Sequence, residues 1–234
     1  MGLTAVILAG GLGTRLRAVL PDVPKPMAPI RGRPFLEYLL DYWISQGIER
    51  FVLSVGYKHE MIMSYFGDYY RGVQIEYVIE TKPMGTGGGL LLAAEKIESD
   101  SFFLVLNGDT YFTVDLQKLV QFAEKNDADW CFSLFLSPDV ERYMGMNVSP
   151  KGKINELKSK QDQAFCHVNG GAYWVRHSTL MQMNLPQTEM ISLENDIFPT
   201  ALTNKQRLFG LVFDETFIDI GVPEDYCRSN LLLI

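Results

Sequence analysis

The first ~135 residues alternate two hydrophobic periods. Short β-branched and apolar runs read as strands, and between them apolar residues recur at helical spacing. Thr4–Ala9, the core of the apolar run Leu3–Ala9, predicts a strand that Gly10–Thr14 breaks. Pro34–Gln46 predicts a helix: Pro34 suits a first turn, Phe35, Tyr38, Leu39, Tyr42 and Trp43 share helical spacing, and Gly47 ends it. Arg50–Val55, Val73–Ile79, Phe102–Leu106 and Trp130–Leu136 predict four further strands. Phe102–Leu106 is apolar throughout, as a strand covered on both faces must be. Helices are predicted at His59–Phe66, at Gly88–Ile97 and after Asp115, which suits an N-cap.

Past Pro138 the texture changes. Short strands are predicted at Gly145–Val148, Ile154–Leu157 and Gly171–Val175, with turn chemistry at Pro150-Lys151-Gly152. These predict an antiparallel insert or a distorted sheet edge. Asn195–Leu202 predicts a helix, Arg207–Val212 and Phe217–Ile220 strands, and Pro223–Leu232 a closing helix. The expectation is an α/β fold: a Rossmann-like three-layer α/β/α sandwich with a mostly parallel mixed sheet and a small antiparallel insert. No linker or charge block divides the chain, so residues 1–234 are expected to form one domain with halves at about 1–135 and 136–234. In such sheets ligands bind beyond the carboxyl ends of the strands.

Composition narrows the function classes. With 234 residues, 47% hydrophobic and 21% charged, the chain can bury a sizeable core and is not globally disordered. Its apolar runs fall far short of the ~20 residues of a membrane span. A net charge of −7 argues against a nucleic-acid groove, though a few local cations suffice for one phosphate cluster. Three widely spaced cysteines, Cys131, Cys166 and Cys227, carry no zinc spacing and suit reduced thiols in the cytoplasm. Leu3–Ala9 has no basic region before it and runs into glycines, unlike a signal peptide.

Candidate chemistry falls at the predicted strand ends. Gly10-Gly11-Leu12-Gly13-Thr14-Arg15 follows the first strand, and its glycines let backbone N–H groups approach a phosphate. It is not a Walker loop, and Leu16 replaces the third glycine of a dinucleotide fingerprint, which disfavours a nicotinamide dehydrogenase. In Pro24-Lys25-Pro26-Met27 two prolines fix the backbone around one ammonium, although such a lysine alone is more often a surface turn. Asp109 follows the Phe102–Leu106 strand in Asn-Gly-Asp, and Asp219 lies at the end of the Phe217–Asp219 run just before Gly221; an aspartate near a glycine commonly just caps a turn.

Together, Leu8-Ala9-Gly10-Gly11-Leu12-Gly13-Thr14-Arg15-Leu16, Pro24-Lys25-Pro26-Met27, Pro83-Met84-Gly85-Thr86-Gly87-Gly88, Leu106-Asn107-Gly108-Asp109 and Phe217-Ile218-Asp219-Ile220-Gly221-Val222-Pro223 resemble the sugar-1-phosphate nucleotidyltransferases. The motifs stand in family order and span residues 3–226. The wording is most similar to the bacterial guanylyltransferases acting on D-glycero-α-D-manno-heptose 1-phosphate, whose products serve surface polysaccharide or glycoprotein synthesis.

The resemblance implies transfer of a nucleotidyl group from a nucleoside triphosphate to a sugar 1-phosphate with release of pyrophosphate. The nucleophile is an already ionised phosphate oxygen, which fits a chain with three histidines and no recognisable triad. It implies Arg15 on the β- and γ-phosphates and Lys25 over the α-phosphate. Asp109 and Asp219 would hold Mg²⁺, which favours one or two carboxylates plus phosphate oxygens and water. Leu8, Ala9, Gly10, Gly11, Gly13, Thr14, Glu80, Pro83, Gly85, Thr86 and Asn107 would bind the nucleotide. Glu80 stands where users of uridine or thymidine typically carry Gln. A carboxylate can accept from both N1–H and N2–H₂ of guanine, so GTP is favoured, although a backbone carbonyl can do the same.

Gly145, Glu156, Lys158, Asn169 and Gly170 would bind the sugar. Many relatives have an adjacent Glu-Lys pair; here Leu157 intervenes, and strand alternation puts Glu156 and Lys158 on one face. Tyr38, Tyr42 and Trp43 are assigned to the core, Met61 and Met63 to core or a subunit contact, and Cys166 and His167 to opposite strand faces without a reactive role. The residues after Pro223–Leu232 are too few for the left-handed β-helix of bifunctional relatives, so a single activity is expected. A homodimer is expected only because soluble oligomers are most often symmetric dimers. The alternatives are use of UTP, dTTP or CTP, use of mannose 1-phosphate or N-acetylmuramic acid 1-phosphate, and a non-catalytic nucleotide-sugar-binding regulator.

Overall fold

The structure is a computed structural model. It describes residues 2–11, 13, 20, 22–98, 101–137, 145–157, 165–185, 190–221 and 223–233, without the side chain of Pro223. The strands are β1 (Leu3–Ala9), β2 (Pro29–Ile30), β3 (Arg33–Pro34), β4 (Ile48–Val55), β5 (Tyr69–Tyr70), β6 (Val73–Ile79), β7 (Phe102–Asn107), β8 (Thr110–Phe112), β9 (Trp130–Ser137), β10 (Gly145–Val148), β11 (Ile154–Glu156), β12 (Cys166–Arg176), β13 (Leu208–Val212) and β14 (Phe217–Asp219). The helices are α1 (Phe35–Ser45), α2 (His59–Phe66), α3 (Gly85–Ala94), α4 (Leu116–Lys125), α5 (His177–Met181), α6 (Phe198–Thr203) and α7 (Pro223–Leu232).

Among the described residues, ten strands form one mixed sheet whose parallel centre runs β7-β1-β4-β6. Alternation along these strands separates two cores. Ala5 and Ile7 of β1, Phe51 and Leu53 of β4, and Leu104 and Leu106 of β7 face one, under α1, α2 and α4. Val6, Val52, Phe103 and Val105 face the other, under α3, α5 and α6. The continuous apolar runs are thus strands covered on both sides. Tyr38 and Trp43 are buried, with Tyr42 packed against the core. Met61 is exposed and Met63 half-buried, so neither is a core residue.

The antiparallel region takes the second expected form, an edge of the main sheet. β12 runs inside the main sheet, antiparallel to β7 over Ala172–Arg176 and to β9 on its other side. β10 and β11 extend from its first half, and β13 pairs parallel with β9. The predicted Gly171–Val175 strand therefore starts five residues earlier, at Cys166. The helix expected at Gly88–Ile97 lies three residues earlier, at Gly85–Ala94. Packing overrides propensity there: a Cβ on Gly87 would stand 2.7 Å from the Ile191 side chain, and the Gly87 and Gly88 N–H groups donate to the Ile191 carbonyl. Asn195–Leu202 is a π-helical turn, Leu193–Ile197, leading into α6. Asp115 caps α4, accepting from the Lys118 N–H at 3.0 Å. β8, which the sequence analysis did not predict, pairs with β14 in a separate ribbon.

Candidate active site

The carboxyl ends of the parallel strands meet at one edge of the sheet. Leu8 of β1 lies between Ser54 of β4 and Asn107 of β7. The Gly108 N–H donates to the Leu8 carbonyl at 2.9 Å, and a Cβ on Gly108 would stand 2.6 Å from that oxygen. Glycine at 108 thus lets the Asn-Gly-Asp turn fold against β1 and directs Asp109 over the strand ends. Pro24 and Pro26 are buried and seat Lys25 in a 3-10 turn, Lys25–Met27. The Lys25 ammonium donates to Asp109 Oδ2 at 2.7 Å. Gly13 adopts the left-handed φ of 59° beside the Lys25 stem.

Backbone pairing brings the second aspartate in. Asp219 of β14 sits opposite Thr110 of β8, and the Ile220 N–H donates to the Asp109 carbonyl at 3.0 Å. Asp219 Oδ1 accepts from the Gly221 N–H at 2.7 Å. A Cβ on Gly221 would stand 2.9 Å from the Lys25 ammonium and 2.7 Å from Asp219 Oδ1, so all three charged groups crowd one point. Burial pushes the Asp219 carboxyl above the usual aspartate range. The Asp109 charge adds to this, against the Gly221 N–H and Lys25. Two carboxylates that repel in a half-buried site suit a cation between them. Among the described residues no group of three His, Cys, Asp or Glu could hold a metal by itself. The site therefore suits an ion that takes its other oxygens from substrate and water, as Mg²⁺ does.

A cleft of about 540 Å³ opens beside these groups. Leu8, Gly10, Gly11, Glu80, Pro83, Gly85, Thr86, Asn107, Asp109 and Asp219 all line it, together with Gly89, Thr110, Met190 and Glu194. Ten of the expected residues, scattered from position 8 to 219, thus line one cleft. Ala9 is buried in β1 just behind it. Arg15, Thr14 and Lys158 lie outside the described residues. Glu80 Oε1 accepts from the buried Ser54 hydroxyl at 2.8 Å, and the Met84 N–H stands 3.4 Å from Oε2. A Cβ on Gly10 would collide with this carboxylate, so one glycine of the loop makes room for Glu80.

The sequence reading missed Glu194 and Met190. Glu194 Oε2 accepts from the Ser192 hydroxyl at 3.0 Å, and the Leu193 N–H donates to Thr86 Oγ1 at 2.9 Å. The Leu193 contact, with the Thr86 hydroxyl in turn donating to Glu194 Oε2 at 3.4 Å, ties the π-helical turn to the start of α3 across more than a hundred residues of sequence. The one local signal was Ser192 capping the Asn195 N–H.

The expected sugar residues are less gathered. Asn169 accepts from the Gly171 N–H at 3.0 Å and donates to the Tyr173 hydroxyl at 2.7 Å. Gly171, at φ 76°, packs against Asn107, whose buried Oδ1 has no hydrogen-bond partner among the described residues. A Cβ on Gly170 would stand 2.5 Å from Phe112. Gly145 is buried in β10 opposite Val168. Glu156 is exposed on β11, accepting from Asn147 at 3.3 Å. None of Gly145, Glu156, Asn169 or Gly170 lines the cleft. Cys166 is fully buried and its neighbour His167 half-exposed, as alternation requires.

Comparison with known proteins identifies the family. A family profile described as "Nucleotidyl transferase" matches residues 4–233. The D-glycero-alpha-D-manno-heptose 1-phosphate guanylyltransferase of Aneurinibacillus thermoaerophilus is 40% identical over 97% of this chain and 96% of its own length. That of Campylobacter jejuni is 39% identical over 95% and 96%. The crystal structure of HddC from Yersinia pseudotuberculosis superposes with a TM-score of 0.85 at 34% identity, covering 100% of both chains; its complex with GMP-PN gives 0.84. With the motifs in order, the strand-end cleft and a match over nearly its whole length, this chain belongs to the nucleotidyl transferase family.

Proposed function

We propose that this protein is a guanylyltransferase that joins GMP from GTP to a sugar 1-phosphate, with D-glycero-α-D-manno-heptose 1-phosphate as the acceptor. The observation that carries the reading is one cleft with Glu80 among its walls and Lys25, Asp109 and Asp219 converging beside it. The heptose assignment is supported by two relatives of near-equal length at about 40% identity.

In this reading an oxygen of the sugar phosphate attacks the α-phosphorus of GTP. The new P–O bond forms as the α–β anhydride breaks, and pyrophosphate leaves with the electron pair. No base is needed, because the attacking oxygen is already ionised at neutral pH. The protein's work is alignment and charge neutralisation. Lys25, fixed between two prolines, presents its ammonium to the α-phosphate region with little reorganisation. Arg15 would meet the β- and γ-phosphates. Asp109 and Asp219 would hold Mg²⁺, whose contribution is charge on the triphosphate oxygens. Glu80 accepts from N1–H and N2–H₂ of guanine, and Gly85 and Pro83 let the base approach the backbone. Asn169, Gly170, Gly145, Glu156 and Lys158 would bind the sugar. The same reading places the enzyme in a bacterial cytoplasm, where GTP is made.

A panel of GTP, UTP, dTTP and CTP with heptose and mannose 1-phosphates, read by mass spectrometry of the products, tests it. GTP with heptose 1-phosphate should give the highest kcat/KM. Better turnover of UTP overturns the guanine assignment, and better turnover of mannose 1-phosphate overturns the sugar.

A further inference from the structure

Ser54 is a polar residue in an otherwise apolar stretch of β4, Phe51–Val55, and it is fully buried. A buried hydroxyl needs a partner. Among the described residues its partner is Glu80 Oε1, at 2.8 Å. Three further features of the fold close around the same carboxylate. The Glu80 N–H donates to the Val55 carbonyl at 2.8 Å, which fixes its backbone one residue past β6, beside the end of β4. Gly10 and Gly89 approach it from β1 and α3: a Cβ on Gly10 would collide with Oε1, and one on Gly89 would stand 2.8 Å from both Oε1 and the Ser54 hydroxyl. The Met84 N–H faces the other oxygen, Oε2, at 3.4 Å. Glu80 therefore lies in a slot with no room for a side chain at either glycine, and Ser54 is the group at its floor that bonds the carboxylate closely.

We propose that Ser54 is a positioning residue for nucleobase recognition: its hydroxyl sets the rotation of the Glu80 carboxylate so that both oxygens can accept from guanine at once. This rests on the reading of Glu80 as the guanine-binding group. The physical requirement is two-point. A carboxylate free to turn about its last side-chain bond can still accept one hydrogen bond in many orientations, but it accepts two parallel ones only near one plane. Ser54 donates to Oε1 and leaves that oxygen a second lone pair, so it fixes the plane without occupying the fork. Its effect belongs to a base that offers two adjacent donors. Hypoxanthine, which has N1–H but lacks the exocyclic amine, should feel it less.

The test is steady-state kinetics of the intact protein with GTP and with ITP, using heptose 1-phosphate, on the parent, Ser54→Ala, Glu80→Ala and the double variant. Ser54→Ala should raise the KM for GTP roughly five- to tenfold, the scale of one net hydrogen bond, with a much smaller change in kcat. The preference for GTP over ITP should shrink. In the Glu80→Ala background the Ser54 substitution should change kcat/KM for GTP less than twofold, because its partner is gone. Melting temperatures of all four proteins report folding. Equal losses with GTP and ITP, or an undiminished Ser54 effect without Glu80, would falsify the positioning role and leave a structural hydroxyl. If Glu80→Ala leaves the GTP preference of the parent intact, the reading of Glu80 itself fails, whatever Ser54 does. A Ser54→Ala protein that melts far below the parent is replaced by Ser54→Cys, which keeps the shape and has a much weaker donor; unchanged GTP-to-ITP discrimination there overturns the proposal as well.

Discussion

Lys25 and Asp109 are 84 positions apart and meet at 2.7 Å, and that contact is the most direct sign of what the cleft is for. An ammonium on a proline-fixed turn cannot withdraw far, so a phosphate entering the cleft meets a charge already in place. Lys25→Ala should lower kcat by roughly 10²–10³, the scale of losing one preorganised donor to a developing charge. Asp109→Ala should abolish turnover with its melting temperature close to the parent's. Single-turnover assays with circular dichroism as the folding control check both; a Lys25→Ala enzyme within threefold of the parent removes the lysine from the chemistry. At this scale the sequence was legible where residues come as motifs. Asn-Gly-Asp and Pro-Lys-Pro each state a backbone shape and a charge in adjacent letters. Ser54 and Glu194 were not legible, because each joins the site through a partner far along the chain, Glu80 26 positions away and Thr86 108 positions away.

Elements were legible where the hydrophobic period is unbroken and illegible where tertiary contacts set the boundary. β10 and α7 fall where the pattern puts them. α3 does not: it starts three residues earlier, at Gly85, where Ile191 packs against Gly85 and Gly87. β8 has only three residues and needs β14 beside it to exist. The antiparallel half of the sheet depends on a polar fastening that no period encodes. Asp129, just before β9, accepts from Arg176 at 3.2 Å and from Arg207 at 2.9 Å, and also from the Arg207 backbone N–H at 2.8 Å. This joins the ends of β9, β12 and β13, with the Arg176 guanidinium 4.5 Å over the Phe102 ring. Burial alone would raise the Asp129 carboxyl, but the Arg207 bonds and both guanidinium charges outweigh it and hold the group below the usual range. A depressed folded value means stability that is present above the unfolded value of about 3.9 and lost as pH falls through the folded one. Asp129→Ala should therefore cost about 1–3 kcal/mol at pH 7: the Arg207 N–H loses its acceptor, while both guanidinium groups keep Asp127. The difference from the parent should narrow below about pH 4, as the parent's own carboxylate takes up a proton. Urea unfolding at pH 7 and in acid measures this, and a gap that does not close in acid refutes the electrostatic account.

At the scale of the molecule, the cleft is where separate parts of the chain are made to agree. Its walls come from the ends of β1 and β7, the turn from β6 into α3, the segment around Met190 and Glu194, and the β8–β14 ribbon. A small third core of Ala28, Ile30, Phe35, Tyr38, Ile218, Ile220 and Leu233 fastens the Lys25 turn to β14 and so sets Lys25 against Asp219. Unfolding must separate these walls, so a ligand that touches them all stabilises the fold as a whole. GTP with Mg²⁺ at about 100 times its Kd should add about 2.7 kcal/mol. For a chain of this size that is a rise in Tm of roughly 5–10 °C. The carboxylate pair lets the nucleotide be separated from its ion. In the parent, GTP with Mg²⁺ should raise Tm well beyond GTP with EDTA. In Asp219→Asn that increment should fall away, because one of the two anionic ligands is gone, while the part due to base and loop contacts remains. In Glu80→Ala the opposite pattern is expected: a smaller total shift whose dependence on Mg²⁺ persists. Thermal melts of the three proteins under both conditions resolve the two contributions. Equal Mg²⁺ increments in the parent and Asp219→Asn would mean that the ion sits elsewhere, and that the crowding of Lys25, Asp109 and Asp219 serves the fold rather than the triphosphate.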